Sequence, residues 1–124
     1  MKFKNEDITF IESTEVKKGV VCEVYRFSNS NEKDLGKVFV NAGYSTPLQK
    51  VIAGKKTIER FESGKGTLTV TLSNGNYKKY NFPGNLEEVE VHIGDTMQWK
   101  AEEDLVFFEI CWPPYTDGRF QNII

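Results

Sequence analysis

Few residues of this chain could carry chemistry, and they are widely spaced. Histidine, the common proton carrier near neutral pH and a frequent metal ligand, occurs once, as His92. It falls in the run Val89-Glu90-Val91-His92-Ile93, out of phase with the apolar positions, and should point to solvent or an interface. A centre of three histidines and a carboxylate needs several donors converging on one ion, and one histidine cannot supply them. The two cysteines, Cys22 and Cys111, lack C-x-x-C spacing and read as buried thiols, neither a zinc nor a redox pair. Lys55-Lys56 and Lys78-Lys79 sit beside turn signals and read as exposed charges. Eighteen Asp and Glu remain, and any acid or base chemistry depends on which of them the fold turns inward.

The elements that must position such groups repeat with period two. Thr67 to Leu72 reads Thr-Leu-Thr-Val-Thr-Leu, placing Leu68, Val70 and Leu72 on one face and three threonines on the other, as a half-buried strand requires. Asn74-Gly75 follows, a hairpin signal that predicts a type I′ turn, and the chain returns from Tyr77 to Phe82 before Pro83-Gly84. Val89, Val91 and Ile93 form another alternating face, which Met97 and Trp99 continue beyond Gly94-Asp95. Ile8 to Ile11, Val20 to Phe27, Lys37 to Val40, Thr57 to Phe61 and Leu105 to Cys111 are further strand-like runs, separated by turn residues. No window has convincing helical periodicity; Asn31 to Gly36 has room for one turn at most. Many short strands without intervening helices predict one antiparallel all-β domain, a sandwich or barrel, over residues 1 to 124.

Composition fits one such domain. The 124 residues suffice for a single core, and 39% hydrophobic with 13% aromatic residues argue against disorder. Sixteen basic and eighteen acidic residues are interspersed, so nothing predicts a nucleic-acid footprint. No stretch approaches the roughly 20 apolar residues of a membrane span, and a cytoplasmic protein is expected.

Two stretches resemble conserved motifs of the cupins. Thr57-Ile-Glu-Arg-Phe-Glu-Ser-Gly-Lys-Gly-Thr-Leu-Thr-Val70 resembles the first, a strand running through Gly-x-Gly into another strand. Val91-His-Ile-Gly-Asp95, with Trp99-Lys-Ala101 and Leu105, resembles the second. Gly43-Tyr-Ser-Thr-Pro47 looks like the approach to the first motif, and Phe108 to Ile123 is similar to the ending of many small bacterial cupins. The likeness covers residues 43 to 123, with strands of residues 1 to 42 preceding it, and implies a double-stranded β-helix, the cupin jelly roll. Where the first motif carries its metal-binding glutamate this chain has Thr57; the paired histidines would fall within Val51-Ile52-Ala53, and the fourth ligand near Leu105. The resemblance therefore implies a cupin that has lost its usual metal site and needs no cofactor. The barrel histidines of the metal-free sugar-nucleotide isomerases of this fold are missing as well.

Placing Thr57 inward, as the resemblance implies, turns Glu59 and Phe61 inward and Ile58 and Arg60 outward. The same phase from Leu105 brings in Phe107, Glu109 and Cys111. Glu59 and Glu109 would then enter a pocket walled by Phe61, Trp99, Phe107 and the Leu68 and Val70 face, either as ligand contacts or as carboxylates tied at the barrel mouth. Tyr44, Gln49 and Lys50 would run along the rim, offering hydrogen bonds to a hydroxyl-rich ligand or facing solvent. The tail Trp112-Pro-Pro-Tyr115 through Arg119 would pack over the barrel or a dimer partner, or close the pocket as a lid. Three functions follow as expectations: a metal-independent binder of a small polar molecule such as a carbohydrate or nucleotide sugar, a sugar isomerase or epimerase using Glu or Tyr as acid and base, or a non-catalytic assembly domain with a filled barrel. A homodimer is expected, because outward apolar residues such as Ile58 need cover and small cupins commonly dimerise.

Overall fold

A computed structural model describes residues 1–51, 56–112 and 120–122. The strands are β1 (Lys2–Phe3), β2 (Glu6–Lys17), β3 (Val20–Phe27), β4 (Asp34–Val40), β5 (Gln49–Val51), β6 (Lys56–Ser63), β7 (Gly66–Thr71), β8 (Tyr77–Phe82), β9 (Glu88–His92), β10 (Thr96–Ala101), β11 (Leu105–Trp112) and β12 (Phe120–Asn122). They form a seven-stranded sheet, β1-β2-β3-β4-β11-β6-β9, and a five-stranded sheet, β12-β5-β10-β7-β8. Each neighbouring pair is antiparallel. The expected all-β jelly roll is what the chain forms, and among the described residues no helix is long and apolar enough to cross a membrane.

Alternation builds two cores. Residues facing the other sheet, among them Val38 and Val40 on β4, Leu68 and Val70 on β7, Met97 and Trp99 on β10 and Leu105 and Phe107 on β11, fill the space between the sheets. On the back of the large sheet, Phe3 and Ile8 from the N-terminal hairpin cover Tyr25, Phe27, Leu35 and Ile110. Ile58 packs against this second cluster. Its cover thus comes from the same chain, which removes Ile58 as a reason to expect a dimer. Above it Arg60 pairs with Glu88 at 2.8 Å, and Lys4 in the β1–β2 turn pairs with the same carboxylate, holding it below the usual carboxylate range.

Two turns differ from expectation. Asn74 does not take a positive φ; Gly75 alone does, at 91°, with its N–H donating to Leu72 O at 2.9 Å and Leu72 N–H donating to Asn76 O at 2.7 Å. This is a type I turn closed by a glycine bulge, in which Asn74 serves by accepting from Asn76 N–H through Oδ1. The tight turn with two positive φ values lies at Lys4 and Asn5, 49° and 68°, between Phe3 and its partner Glu6. Ile93, expected to extend the Val89 and Val91 face, lies past the end of β9 and is 51% exposed, while Val91 is fully buried. Asn31 to Gly36 holds no helical turn, since β4 starts at Asp34.

Gly64 and Gly43 both adopt the left-handed region, at 94° and 84°, in different surroundings. A Cβ on Gly64 would overlap the Asp104 carbonyl oxygen, whereas nothing lies near one on Gly43. Gly43→Ala should therefore cost about 1 to 2 kcal/mol from backbone strain alone, and Gly64→Ala distinctly more, because the β6–β7 loop must also separate from Asp104. Urea unfolding of the two variants measures the difference.

Candidate functional site

The central pair of strands carries the site. β11 and β6 run side by side with Phe107 opposite Phe61, Glu109 opposite Glu59 and Cys111 opposite Thr57, after a bulge between Val106 and Phe107. All these residues face the interior, the phase expected from Thr57 and Leu105. Thr57 and Glu59 are wholly buried, Leu105 and Phe107 nearly so, and Glu109 is half-buried.

Glu59 Oε1 accepts a hydrogen bond from Trp99 Nε1 at 3.0 Å. Thr57 Oγ1 has no hydrogen-bond partner among the described residues, and the other oxygen of Glu59 has none apart from the neighbouring Glu109 carboxyl. Burial pushes the Glu59 carboxyl well above the usual carboxylate range; the charge of Glu109 and hydrogen bonding with it add to this, and the Trp99 indole offsets it only in part. Glu109 Oε1 in turn accepts from Cys111 Sγ at 3.7 Å. The Cys22 thiol is pushed up to about 12 by burial and then by Glu109, so it is a neutral group at ordinary pH. Both cysteines are free thiols, as their spacing implied.

A cavity of about 670 Å³ opens beside this pair. Phe107, Glu109 and Cys111 of β11 form its inner wall, with Cys22 and Val24 from β3 and Gly36 and Val38 from β4. Gln49, Thr46 and Pro47 line it from the approach to the first motif, and Ile11, Thr14 and Val16 of β2 line it from the other side. Gly36 matters locally: a Cβ there would sit 3.2 Å from Cys22 Sγ and 4.0 Å from Glu109 Cβ. A side chain at this position would crowd the Cys22 thiol between β3 and β11.

The structure brings together only some of the expected residues. Gln49, Phe107 and Glu109 line the cavity, and Glu59 lies beside Glu109, one strand beyond the wall. Trp99 and Phe61 face inward but are occupied by other rings: Phe61 stacks on Phe82 at 5.3 Å, Phe82 meets Trp99 at 5.2 Å, and Trp99 stacks on Phe107 at 4.4 Å. These aromatics fill part of the barrel instead of walling a pocket, with Phe107 at the boundary. Tyr44 lies away from the cavity, its ring packed over Gly19. Cys22 was read only as a buried thiol, and Gly36 and Thr46 were not picked out as site residues. For Cys22 the signal was present, since it alternates in phase with Val20 and Val24. Ile52, Ala53, Lys55 and the tail from Pro113 to Arg119 lie outside the described residues.

No protein-family model matches the chain, and no curated protein does. Solved structures do. Oxalate decarboxylase from Bacillus subtilis at pH 4.6 superposes with a TM-score of 0.67 at 22% identity, covering 82% of this chain and 28% of that one. Another structure of that enzyme, reporting on its Mn(II) centres, matches with the same TM-score at 21% identity. Protein SO0799 from Shewanella oneidensis matches with a TM-score of 0.63 at 11% identity, over 74% of this chain and 62% of that one. The chain thus spans less than two thirds of either protein's length, and at these identities what is shared is the cupin fold.

Among the described residues, no donor set for the Mn(II) of that enzyme is found. His92 is exposed, its backbone N–H donating to Asp95 Oδ2 at 3.3 Å. Among the described residues no three of His, Cys, Asp or Glu are grouped to hold an ion. The inward side chains at the motif positions are Thr57 and Leu105, and Mn²⁺ favours several carboxylate, imidazole or water donors.

The carboxyl pair makes stability depend on pH. Because the folded-state value of Glu59 is raised, the native state holds that proton more tightly than the unfolded chain. Stability is therefore full at low pH and declines as pH rises from the ordinary carboxylate range through the raised value. Glu59→Gln, which keeps the shape and removes the charge, should flatten this decline and be more stable than the parent at alkaline pH. Urea midpoints measured across the range check it. Trp99→Phe, which leaves Glu59 Oε1 without its donor, should cost about 1 to 3 kcal/mol from that loss alone.

Proposed function

We propose that this cupin barrel binds a small polar molecule, a carbohydrate or nucleotide sugar, without a metal ion. The observation that carries the reading is the half-filled barrel: stacked aromatics occupy one part, and beside them lies a cavity of about 670 Å³ with Glu109 on its wall and Glu59 behind it. That volume lies within the roughly 300 to 1,000 Å³ usual for small-molecule sites. The cavity mixes aliphatic walls from Val20, Val24 and Val38 with Gln49, Thr46, Cys22 and Glu109, a combination suited to a ligand with both carbon faces and hydroxyls. A barrel filled throughout, as an assembly domain would have it, fits this cavity poorly.

A second reading, acid and base catalysis of sugar isomerisation or epimerisation, draws on the same pair. Two adjoining carboxyls of which one retains its proton offer a donor and an acceptor side by side. In that case turnover would fall with Glu109→Gln, whereas simple binding would persist in part.

Thermal unfolding of EDTA-treated protein against nucleotide sugars, free sugars, sugar acids and divalent metals tests both. A ligand at about 100 times its Kd adds about 2.7 kcal/mol, a shift of several degrees for a domain of this size. The expected result is a shift with one sugar class and none with EDTA or metals. Stabilisation by manganese, nickel or zinc alone would overturn the metal-free reading.

A further inference from the structure

We propose that the group seated deepest in this barrel is an uncharged hydroxyl held by Thr57, Glu59 and Glu109, so that the inner end of the ligand is a neutral polyol or sugar and neither an amine nor an acid. The proposal rests on the binding reading above and specifies its chemistry. Thr57 and Glu59 are successive inward positions on β6, and their partners on β11, Cys111 and Glu109, both line the cavity. The two β6 residues therefore stand one strand behind the cavity wall. Each is wholly buried; Thr57 Oγ1 has no hydrogen-bond partner among the described residues, and Glu59 Oε2 has none apart from the neighbouring Glu109 carboxyl.

Buried polar atoms in native proteins are nearly always bonded, and each one left alone costs about 1 to 3 kcal/mol. Two such atoms at consecutive inward positions of one strand point to a guest that completes them. The half-buried Glu109 separates them from the cavity, and its β4 neighbour Gly36 presents no side chain. A guest reaches them when the Glu109 carboxyl swings toward the cavity it lines.

The surroundings select the guest. Glu109 and the Cys111 thiol of β11, Asp34 of β4, and Glu23 and the neutral Cys22 thiol of β3 are the titratable groups nearest the seat; Glu12, Arg26 and Lys33 also line the cavity but are not among the charges acting on Glu59 or Cys22. β10 contributes the Trp99 indole, and β9 sets the apolar Val89 and Val91 opposite Glu59 and Thr57. A carboxylate or phosphate would meet like charge from Glu109. An ammonium group only donates, and so cannot accept from the protonated Glu59 or the Thr57 hydroxyl. A hydroxyl both donates and accepts, which matches a protonated carboxyl paired with a threonine.

The Trp99 indole N–H, bonded to Glu59, reports on this seat by NMR, and Trp112→Phe assigns it against the other tryptophan. Protein comprising residues 1 to 124 is titrated with D-glucose, D-glucosamine and D-gluconate while thermal stability is followed in parallel. Glucose should move the Trp99 resonance. Its affinity should fall about tenfold per pH unit once the indole shows Glu59 ionising, with glucosamine and gluconate at least about tenfold weaker below that point. Glu59→Gln should retain glucose binding and lose its pH dependence. Tighter binding of glucosamine, strengthening as Glu59 ionises, or loss of glucose binding in Glu59→Gln, would overturn the hydroxyl seat. Thermal stabilisation by the probes with no movement of the indole would overturn it and leave the cavity reading intact. No stabilisation by any of these probes or by the wider sugar panel would overturn both.

Discussion

The hydrogen bond from Trp99 Nε1 to Glu59 Oε1 crosses the core from the small sheet to the large one, and much of the interior is arranged around it. It fixes the plane of the indole, which stacks at 14° to Phe107 on one side and meets Phe82 on the other. That stack fills one part of the barrel and sets the boundary of the open part. The same bond anchors a carboxyl that burial would otherwise make unfavourable. Its second oxygen is left facing the Thr57 and Glu109 side of the strand pair, where an apolar residue at position 59 would leave only packing.

The two faces of the large sheet treat their carboxylates in opposite ways. On the back, Glu88 lies between Lys4 and Arg60 and stays ionised to lower pH than usual, a partly exposed arrangement of modest energetic weight. Inside, Glu59 is wholly buried and has a second acid for a neighbour, and both push its carboxyl well above the usual carboxylate range. Strand alternation alone separates the two behaviours: Arg60 follows Glu59 by one residue and points the other way.

Much of this architecture could be read from the chain. Strict alternation located the strands of the central sandwich, and Thr67 to Leu72 lies on the small sheet with Leu68 and Val70 buried as the pattern required. The inward phase of Thr57, Glu59, Phe107 and Glu109 followed from the same rule once one residue of each strand was placed. What eluded the sequence was set by packing. β1, β5 and β12 are each two or three residues long, too short for a period to show. β2 extends to twelve residues because its polar half, from Glu12 to Lys17, pairs with β3 without burying an apolar face. Ring–ring contacts, which decide whether Trp99 and Phe61 wall a cavity or fill it, depend on where Phe82 arrives from a distant hairpin, and alternation has no term for that.

The position of β11 has a consequence for how the chain reaches its native state. This strand is flanked by β4 and β6 in the large sheet, yet it lies near the end of the sequence. Phe108 and Ile110 on its back face meet Phe3 and the second core, so the β1–β2 hairpin waits for a strand synthesised about a hundred residues later. Until Leu105–Trp112 emerges from a ribosome, β3 and β4 can pair only with each other and with β2, and β6 can pair only with β9. Folding dominated by such distant pairings is slow, and the jelly roll should close as a late, concerted event around its penultimate strand.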